Sequence, residues 1–103
     1  MNESKPLLER EILTQLFERY LPLCKDCLSD APKCDGVSLQ RLCEEAISNG
    51  ADYPTDKLHR WLGFVQGVLA CQYVISVDEE RDFTRPLFHA LYGKTVKSFD
   101  SNK

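Results

Sequence analysis

The chain has 103 residues, which is enough for one domain with its own hydrophobic core and too few for two. Hydrophobic residues make up 43% of it and charged residues 28%, ordinary values for a globular protein. The formal net charge of −3 argues against general nucleic-acid binding, which needs a basic stripe or face. The same charge is too small for an acidic mimic of nucleic acid.

Nothing in the sequence indicates export or membrane insertion. The first ten residues contain no apolar run like the core of a signal peptide. The uncharged stretch 61–77 is 17 residues long and is interrupted by Gln66 and Gln72, whereas a membrane span needs about 20 apolar residues. We expect a cytoplasmic protein whose five cysteines are reduced.

The first predicted helix covers residues 7–28, where apolar side chains recur at helical spacing. Pro22 lies inside this stretch, where it removes a hydrogen bond and clashes with the preceding turn. We therefore expect either a kink at Pro22 or a helix end near Tyr20, followed by a short second piece. The polar side, which includes Glu9 and Arg19, is typical of a solvated face.

The turn residues of the stretch 29–37 predict a loop before the second helix. Ser38 is a suitable N-cap for that helix, and the pair Asn49-Gly50 predicts a left-handed stop at its end. Its apolar stripe is predicted to comprise Leu39, Leu42, Cys43, Ala46 and Ile47.

The third predicted helix covers residues 55–75 and carries two stripes. One stripe is built mostly of small residues and includes Gly63 and Gly67. Each glycine costs about 1 kcal/mol relative to alanine in a helix interior, so we predict that another helix backbone packs closely against this pair. The other stripe is apolar, and we expect its following members to be buried: Trp61, Leu62, Val65, Val68 and Leu69.

The fourth helix is predicted to begin directly after the third, because Ser76 and Glu79 match the Ser-x-x-Glu pattern of a capping box. Pro86 is expected to interrupt this helix, with Thr84 capping a restart. Gly93 is expected to end it.

These elements predict an all-α fold, a compact bundle of about four helices with the third helix (about 56–75) central. Short connections favour antiparallel neighbours. We expect one helical domain over residues 1–103, with 1–6 and 94–103 frayed.

Four cysteines lie close in sequence, at a spacing where thiolates could hold a tetrahedral zinc ion. These are Cys24, Cys27, Cys34 and Cys43. A strong zinc pattern has two Cys-x-x-Cys pairs on turns, and this chain has one. Three of the four also fall on predicted apolar helix faces, where free cysteine behaves as a small hydrophobe. We predict no cofactor and keep a zinc-stabilised domain as an alternative.

The two histidines, His59 and His89, are not set in a catalytic pattern. A hydrolytic triad needs a nucleophile on a sharp turn, and no Gly-x-Ser-x-Gly motif or equivalent is present. We therefore predict that the protein is not an enzyme.

Lys57 and Arg60 lie near the start of the third helix, where cations oppose the helix dipole unless a partner offsets their charge. Acidic residues of the fourth helix could supply that partner, and we favour this structural interpretation. The alternative is a small-molecule-binding function, in which Arg60, Arg85 and the helix N-terminus hold a nucleotide-like anion.

The glycine pair of the third helix also allows a homodimer seam. Aromatic residues beside it would form a contact patch of the kind favoured at protein interfaces if they remain exposed together. These aromatic residues are Phe64, Tyr73, Phe88 and Tyr92. The candidate ligand- or partner-binding residues are Lys57, Arg60, Phe64, Arg85, Phe88 and Tyr92.

The stretches Tyr53–Ala70 (YPTDKLHRWLGFVQGVLA) and Val77–Gly93 (VDEERDFTRPLFHALYG) resemble small uncharacterised proteins of the early or accessory regions of phages and prophages of enteric bacteria. The resemblance covers about the C-terminal half of the chain and implies no activity and no functional residues. It implies a context, because such proteins often bind host proteins inside the bacterial cell. We therefore expect an interaction module that binds and modulates a host or phage protein, such as a defence or nucleic-acid-processing factor.

Overall fold

The computed structural model describes residues 8–92, with side chains as far as Ala90, and every regular element in that range is helical. The four α-helices are α1 (Glu9–Tyr20), α2 (Gly36–Asn49), α3 (Thr55–Cys71) and α4 (Val77–Tyr92), with short 3₁₀ turns at Leu21–Asp26 and Gly50–Asp52. The predicted all-α class and the four helices are confirmed. The ends that we expected to be frayed, 1–6 and 94–103, lie outside the described residues.

Side-chain contacts give the relative directions of three helices. α1 and α3 run parallel, since Glu9 and His59 meet near their starts. Tyr20 and Gln66 likewise meet farther along the two helices. α4 runs antiparallel to both, because Glu80 from its first turns contacts Tyr20 at the end of α1. The predicted antiparallel arrangement of the third and fourth helices is therefore confirmed.

The contacts place α1, rather than α3, at the centre of the bundle, because α1 packs against each of the other three helices. Its apolar positions fall in adjacent pairs one turn apart, which makes a stripe wide enough to serve several neighbours. The buried residues of α1 are Ile12, Leu13, Leu16, Phe17 and Tyr20.

The apolar stripe of α3 completes the core from one side. Leu62, Val65 and Leu69 are buried as predicted, whereas Trp61 and Val68 are half-buried at its edges. Among the described helices, none combines the length and the apolar character that crossing a bilayer requires.

The two prolines inside helical patterns act differently. α1 ends at Tyr20, and Pro22 stands at the start of the following 3₁₀ turn, where its missing N–H is tolerated. This confirms the second option for the first helix. α4 by contrast continues through Pro86, so the predicted interruption and the restart at Thr84 were wrong. Pro86 and Asp82 are both exposed, so water can hydrate the Asp82 carbonyl that loses its helical hydrogen bond.

α2 begins at Gly36, three residues earlier than an N-cap at Ser38 would place it, so that predicted N-cap was wrong. Asp35 is the cap, and its carboxylate accepts hydrogen bonds from the Ser38 backbone N–H at 3.0 Å and from the Ser38 hydroxyl at 2.7 Å. A Cβ on Gly36 would lie 2.5 Å from the carbonyl oxygen of Cys24. Gly50 is right-handed, with φ −56°, so the predicted left-handed stop is absent there.

α3 ends at Cys71, four residues earlier than predicted, in a Schellman motif. The N–H of Tyr73 donates to the carbonyl of Ala70, and the N–H of Val74 donates to that of Leu69 at 2.9 Å. Tyr73 has φ +62° in this motif, a position that glycine usually occupies. The apolar periodicity of the sequence therefore did not predict that α3 ends at Cys71.

Candidate functional site

The cations at the start of α3 are paired locally. The guanidinium Nη1 of Arg60 lies 3.1 Å from Oδ2 of Asp56 one turn earlier, and both residues are exposed. The Lys57 ammonium lies 5.1 Å from the ring centroid of Tyr53 and 5.6 Å from that of Trp61. These contacts supply the structural explanation that we favoured, with partners from α3 and the preceding turn instead of α4.

A pocket of about 590 Å³ lies beside this helix end and is lined by Glu9, Thr55, Asp56, His59 and Phe88. Oε2 of Glu9 lies 2.6 Å from Nε2 of His59, and the His59 and Phe88 rings are 5.9 Å apart. Two carboxylates line this pocket, whereas neither Arg60 nor the half-buried Arg85 does. The arrangement is electrostatically unfavourable for the nucleotide-like anion of the alternative function.

The predicted aromatic residues do not form one patch. Phe88 is half-buried and lines the pocket with His59, whereas Phe64 is 40% exposed on another face of α3. Tyr73 is 93% exposed, just beyond the end of α3. The side chain of Tyr92 lies outside the described ones.

The cysteines are free thiols, and within residues 8–92 no three His, Cys, Asp or Glu side chains are placed to hold a metal ion. The Cys27 thiol donates to the carbonyl of Cys34 at 3.3 Å, and the Cys24 thiol donates to that of Tyr20 at 3.3 Å. Burial raises the pKa of Cys24 and of Cys43, which favours the protonated thiol over the thiolate that a metal needs. The zinc alternative therefore has no ligand set in this part of the chain.

The outer face of α3 and the loop before α2 together form a groove of about 450 Å³, which we call the α3 groove. Within residues 8–92, a Cβ added at Gly63 or Gly67 would meet no atom within 4 Å. The predicted close packing of a helix against these glycines is therefore absent from the described part of the chain. None of the described residues that line the groove carries a charged side chain, and the main ones are Ala31, Cys34, Gly63, Phe64, Gly67 and Cys71.

A polar network that we did not predict joins α1, α3 and α4. Glu80, which is 9% exposed, accepts hydrogen bonds from Arg19 Nε at 3.2 Å and Nη2 at 2.9 Å. It also accepts one from the Tyr20 hydroxyl at 2.6 Å, and Gln66 Nε2 donates to that hydroxyl at 3.0 Å. The Arg19 guanidinium also lies 3.8 Å from the ring centroid of Phe83. We call Arg19, Tyr20, Gln66 and Glu80 the Glu80 network.

The electrostatics of the Glu80 network are mutually supporting. Burial raises the pKa of Tyr20 to about 12, so the phenol stays protonated and donates a hydrogen bond to Glu80. Burial also acts to raise the pKa of Glu80, but the hydrogen bonds from Arg19 and Tyr20 outweigh it and lower that pKa overall. Hydrogen bonding to Glu80 in turn raises the pKa of Arg19. Because these charges are offset by one another, the network is suited to holding three helices together.

One sequence signal could have revealed the network. Gln66 interrupts an otherwise apolar stretch of α3, and a half-buried amide needs a hydrogen-bond partner. We instead treated Arg19 as part of a solvated face, since no local pattern links it to Glu80 across 61 positions of sequence.

Comparisons with known proteins do not assign either feature a role. The sequence matches no protein-family model, and neither a curated protein nor a solved structure gave a significant match.

Proposed function

We propose that this protein is a non-enzymatic protein–protein interaction module whose α3 groove receives an apolar helix of another protein. The observation that supports this proposal is the open glycine floor of the groove, where no atom of residues 8–92 lies within 4 Å of a Cβ at Gly63 or Gly67. Each of these glycines costs about 1 kcal/mol relative to alanine. No contact in the described part of the chain offsets that cost, whereas a helix backbone packed against the glycines would.

The chemistry of the groove defines the face of the helix that it would bind. Its lining is uncharged and includes Val68 and the 40% exposed ring of Phe64. An exposed aromatic ring beside a small-residue floor suits the helix-in-groove mode, in which apolar side chains one turn apart anchor the ligand. Aromatic residues also carry a large share of binding energy at interfaces. The occupant is therefore an amphipathic helix with small and apolar residues on its buried face.

The class of partner comes from the resemblance of Tyr53–Ala70 and Val77–Gly93 to phage and prophage accessory proteins. Such proteins often act by binding proteins of the bacterial host. We propose that the partner is a host protein, such as a defence or nucleic-acid-processing factor, and that binding modulates its activity.

Site-specific crosslinking tests this proposal. Phe64 is replaced by the photo-crosslinking residue benzoylphenylalanine, and the protein is irradiated in an extract of an enteric bacterium to identify the partner. The purified partner is then titrated calorimetrically against wild type and Gly67→Leu. We expect Gly67→Leu to bind at least about tenfold more weakly, because the added side chain fills the groove and overpacks the interface.

Ala90→Leu is the matched control, since it adds a similar side chain at an exposed position of α4 outside the groove. It should bind within about twofold of wild type. Equal affinities for wild type and Gly67→Leu would contradict the proposal, as would the absence of a specific crosslink from position 64.

A further inference from the structure

The segment that joins α3 to α4, residues 72–76, holds one strained residue. Tyr73 has φ +62°, where the Cβ of an L-residue crowds its own carbonyl, so bulky residues rarely adopt it. Its side chain is 93% exposed, so packing of the ring in the described part of the chain does little to offset this strain. The segment would therefore relax if Tyr73 took an extended conformation.

α4 is held mainly by side-chain contacts with residues far from it in sequence. Glu80 binds Arg19 and Tyr20 of α1, and the Phe88 ring lies 5.9 Å from that of His59. His59 belongs to α3, so α4 contacts both α1 and α3, each time through residues at least 29 positions away in sequence. The same contacts can be made by an identical α4 from another copy of the chain.

We propose that two copies of this protein exchange α4. Residues 72–76 straighten, and α4 docks on α1 and α3 of a second copy. There, the partner's Glu80 accepts the hydrogen bonds of Arg19 and Tyr20. Each contact of α4 then forms between α4 of one chain and the body of the other, once in each half of the dimer, and the strain at Tyr73 is removed. Short strained hinges favour such domain swapping.

Residues 72–76 are the hinge of this exchange, and in the closed monomer they also make contacts that oppose it. Val74 and Ile75 are half-buried against the core, and straightening the hinge withdraws them. The swapped dimer is therefore expected at high protein concentration or after refolding from denaturant, where association is favoured by mass action. This inference is independent of the proposed function, because it uses α4 and does not need the α3 groove.

The hinge is tested by refolding the protein at high concentration and weighing the products by gel filtration with light scattering. Tyr73→Gly removes the strain from the closed hinge, so its dimer dissociation constant should rise about tenfold over wild type. Tyr73→Val increases the strain, because β-branched residues fit this conformation worst, and should raise the dimer fraction. Wild type that stays monomeric at about millimolar concentration, or unchanged dimer fractions in both variants, would overturn the proposal.

The exchange itself is tested by charge complementation in trans. Arg19→Glu and Glu80→Arg each place like charges together in the Glu80 network, and neither variant alone restores a pair. In a swapped heterodimer, one site regains the native Arg19–Glu80 pair and the other holds the reversed pair. We expect native mass spectrometry of the co-refolded mixture to show mainly heterodimer, and a mixture without heterodimer would contradict the exchange. If either variant fails to fold, as judged by circular dichroism, the Tyr73 variants decide the question, since they leave the network intact.

Discussion

α2 and α4 are attached to the same central helix, α1, in different ways. α2 buries three apolar residues, Leu39, Cys43 and Ala46, and its first residue packs against the backbone of the 3₁₀ turn after α1. Glu80, which carries a carboxylate, is the buried residue among the described side chains of α4. We call the attachment of α2 through apolar packing attachment by shape, and that of α4 through the Glu80 network attachment by charge. Attachment by shape does not depend on protonation, whereas attachment by charge does. The contrast implies that pH and charge substitutions act mainly on α4.

Leu39→Ala should give the largest loss of stability, because it opens a cavity between α2 and the core. Leu39 is fully buried, and such truncations lower the free energy of unfolding by about 2–5 kcal/mol. Urea denaturation followed by circular dichroism measures the change. Val37→Ala is the control on the same helix, since Val37 is 59% exposed and should change the free energy by about 0.5 kcal/mol or less. A loss below 1 kcal/mol for Leu39→Ala would contradict attachment by shape.

Gly36→Ala should lower the free energy of unfolding by about 1–3 kcal/mol, because the new Cβ would lie 2.5 Å from the Cys24 carbonyl oxygen. The obstacle is backbone, so the start of α2 has to move away from the 3₁₀ turn. The same denaturation experiment measures the effect. A variant as stable as wild type would show that α2 does not depend on this close approach.

Glu80→Gln should lower the free energy of unfolding by about 1–2 kcal/mol at neutral pH, since it weakens charge-assisted hydrogen bonds. We expect a loss in the lower part of that range, because the Arg19 side chain is 37% exposed and water partly screens its ion pair with Glu80. The folded-state pKa of Glu80 is depressed, so its stabilising effect is fully present above the ordinary carboxyl pKa of 4.5. It is lost as the pH falls through the depressed value.

Denaturation curves across the acid range therefore separate the two attachments. The stability difference between wild type and Glu80→Gln should shrink as the pH falls, while that between wild type and Leu39→Ala stays constant. Glu79→Gln removes a charge from an exposed neighbour on α4 and should show little effect at any pH. A Glu80→Gln difference that does not vary with pH would contradict attachment by charge.

Gly67→Ala has the smallest expected effect and concerns a surface that neither attachment uses. Because a Cβ there meets no described atom of the chain within 4 Å, the substitution should raise the free energy of unfolding by about 0.5–1 kcal/mol through helix propensity alone. Gly63→Ala should behave in the same way, since its surroundings are equally open. Thermal denaturation followed by circular dichroism measures both, and a loss of stability in either would point to a packed neighbour.

Local chemistry made most of the helices predictable. Apolar periodicity located all four, and of the two options that Pro22 left open, a kink or an end near Tyr20, the structure shows the second. Two boundaries were missed because the local signals were ambiguous: two residues could cap α2, and no glycine marks the end of α3. Asp35, rather than Ser38, caps α2, and the left-handed residue after α3 is a tyrosine instead of a glycine.

The candidate site was less predictable, since helical spacing identifies a face but not what covers it. The glycine pair of α3 was expected to pack against a helix, and no helix among residues 8–92 covers it. Phe64 and Phe88 share an aromatic character and a helical context, yet they line separate cavities. Pairing across 61 positions, as between Arg19 and Glu80, requires knowledge of the fold.

The uneven accessibility of the cysteines makes the α3 groove observable without labels introduced by mutation. Cys71 is exposed and Cys34 half-buried, and both line the groove, whereas Cys24, Cys27 and Cys43 are buried. The thiolate is the form of cysteine that attacks an alkylating reagent, so burial and the raised pKa values of Cys24 and Cys43 slow their modification. Maleimide should therefore modify Cys71 and Cys34 first, and the rate at these two thiols becomes a direct kinetic readout of whether anything occupies the groove.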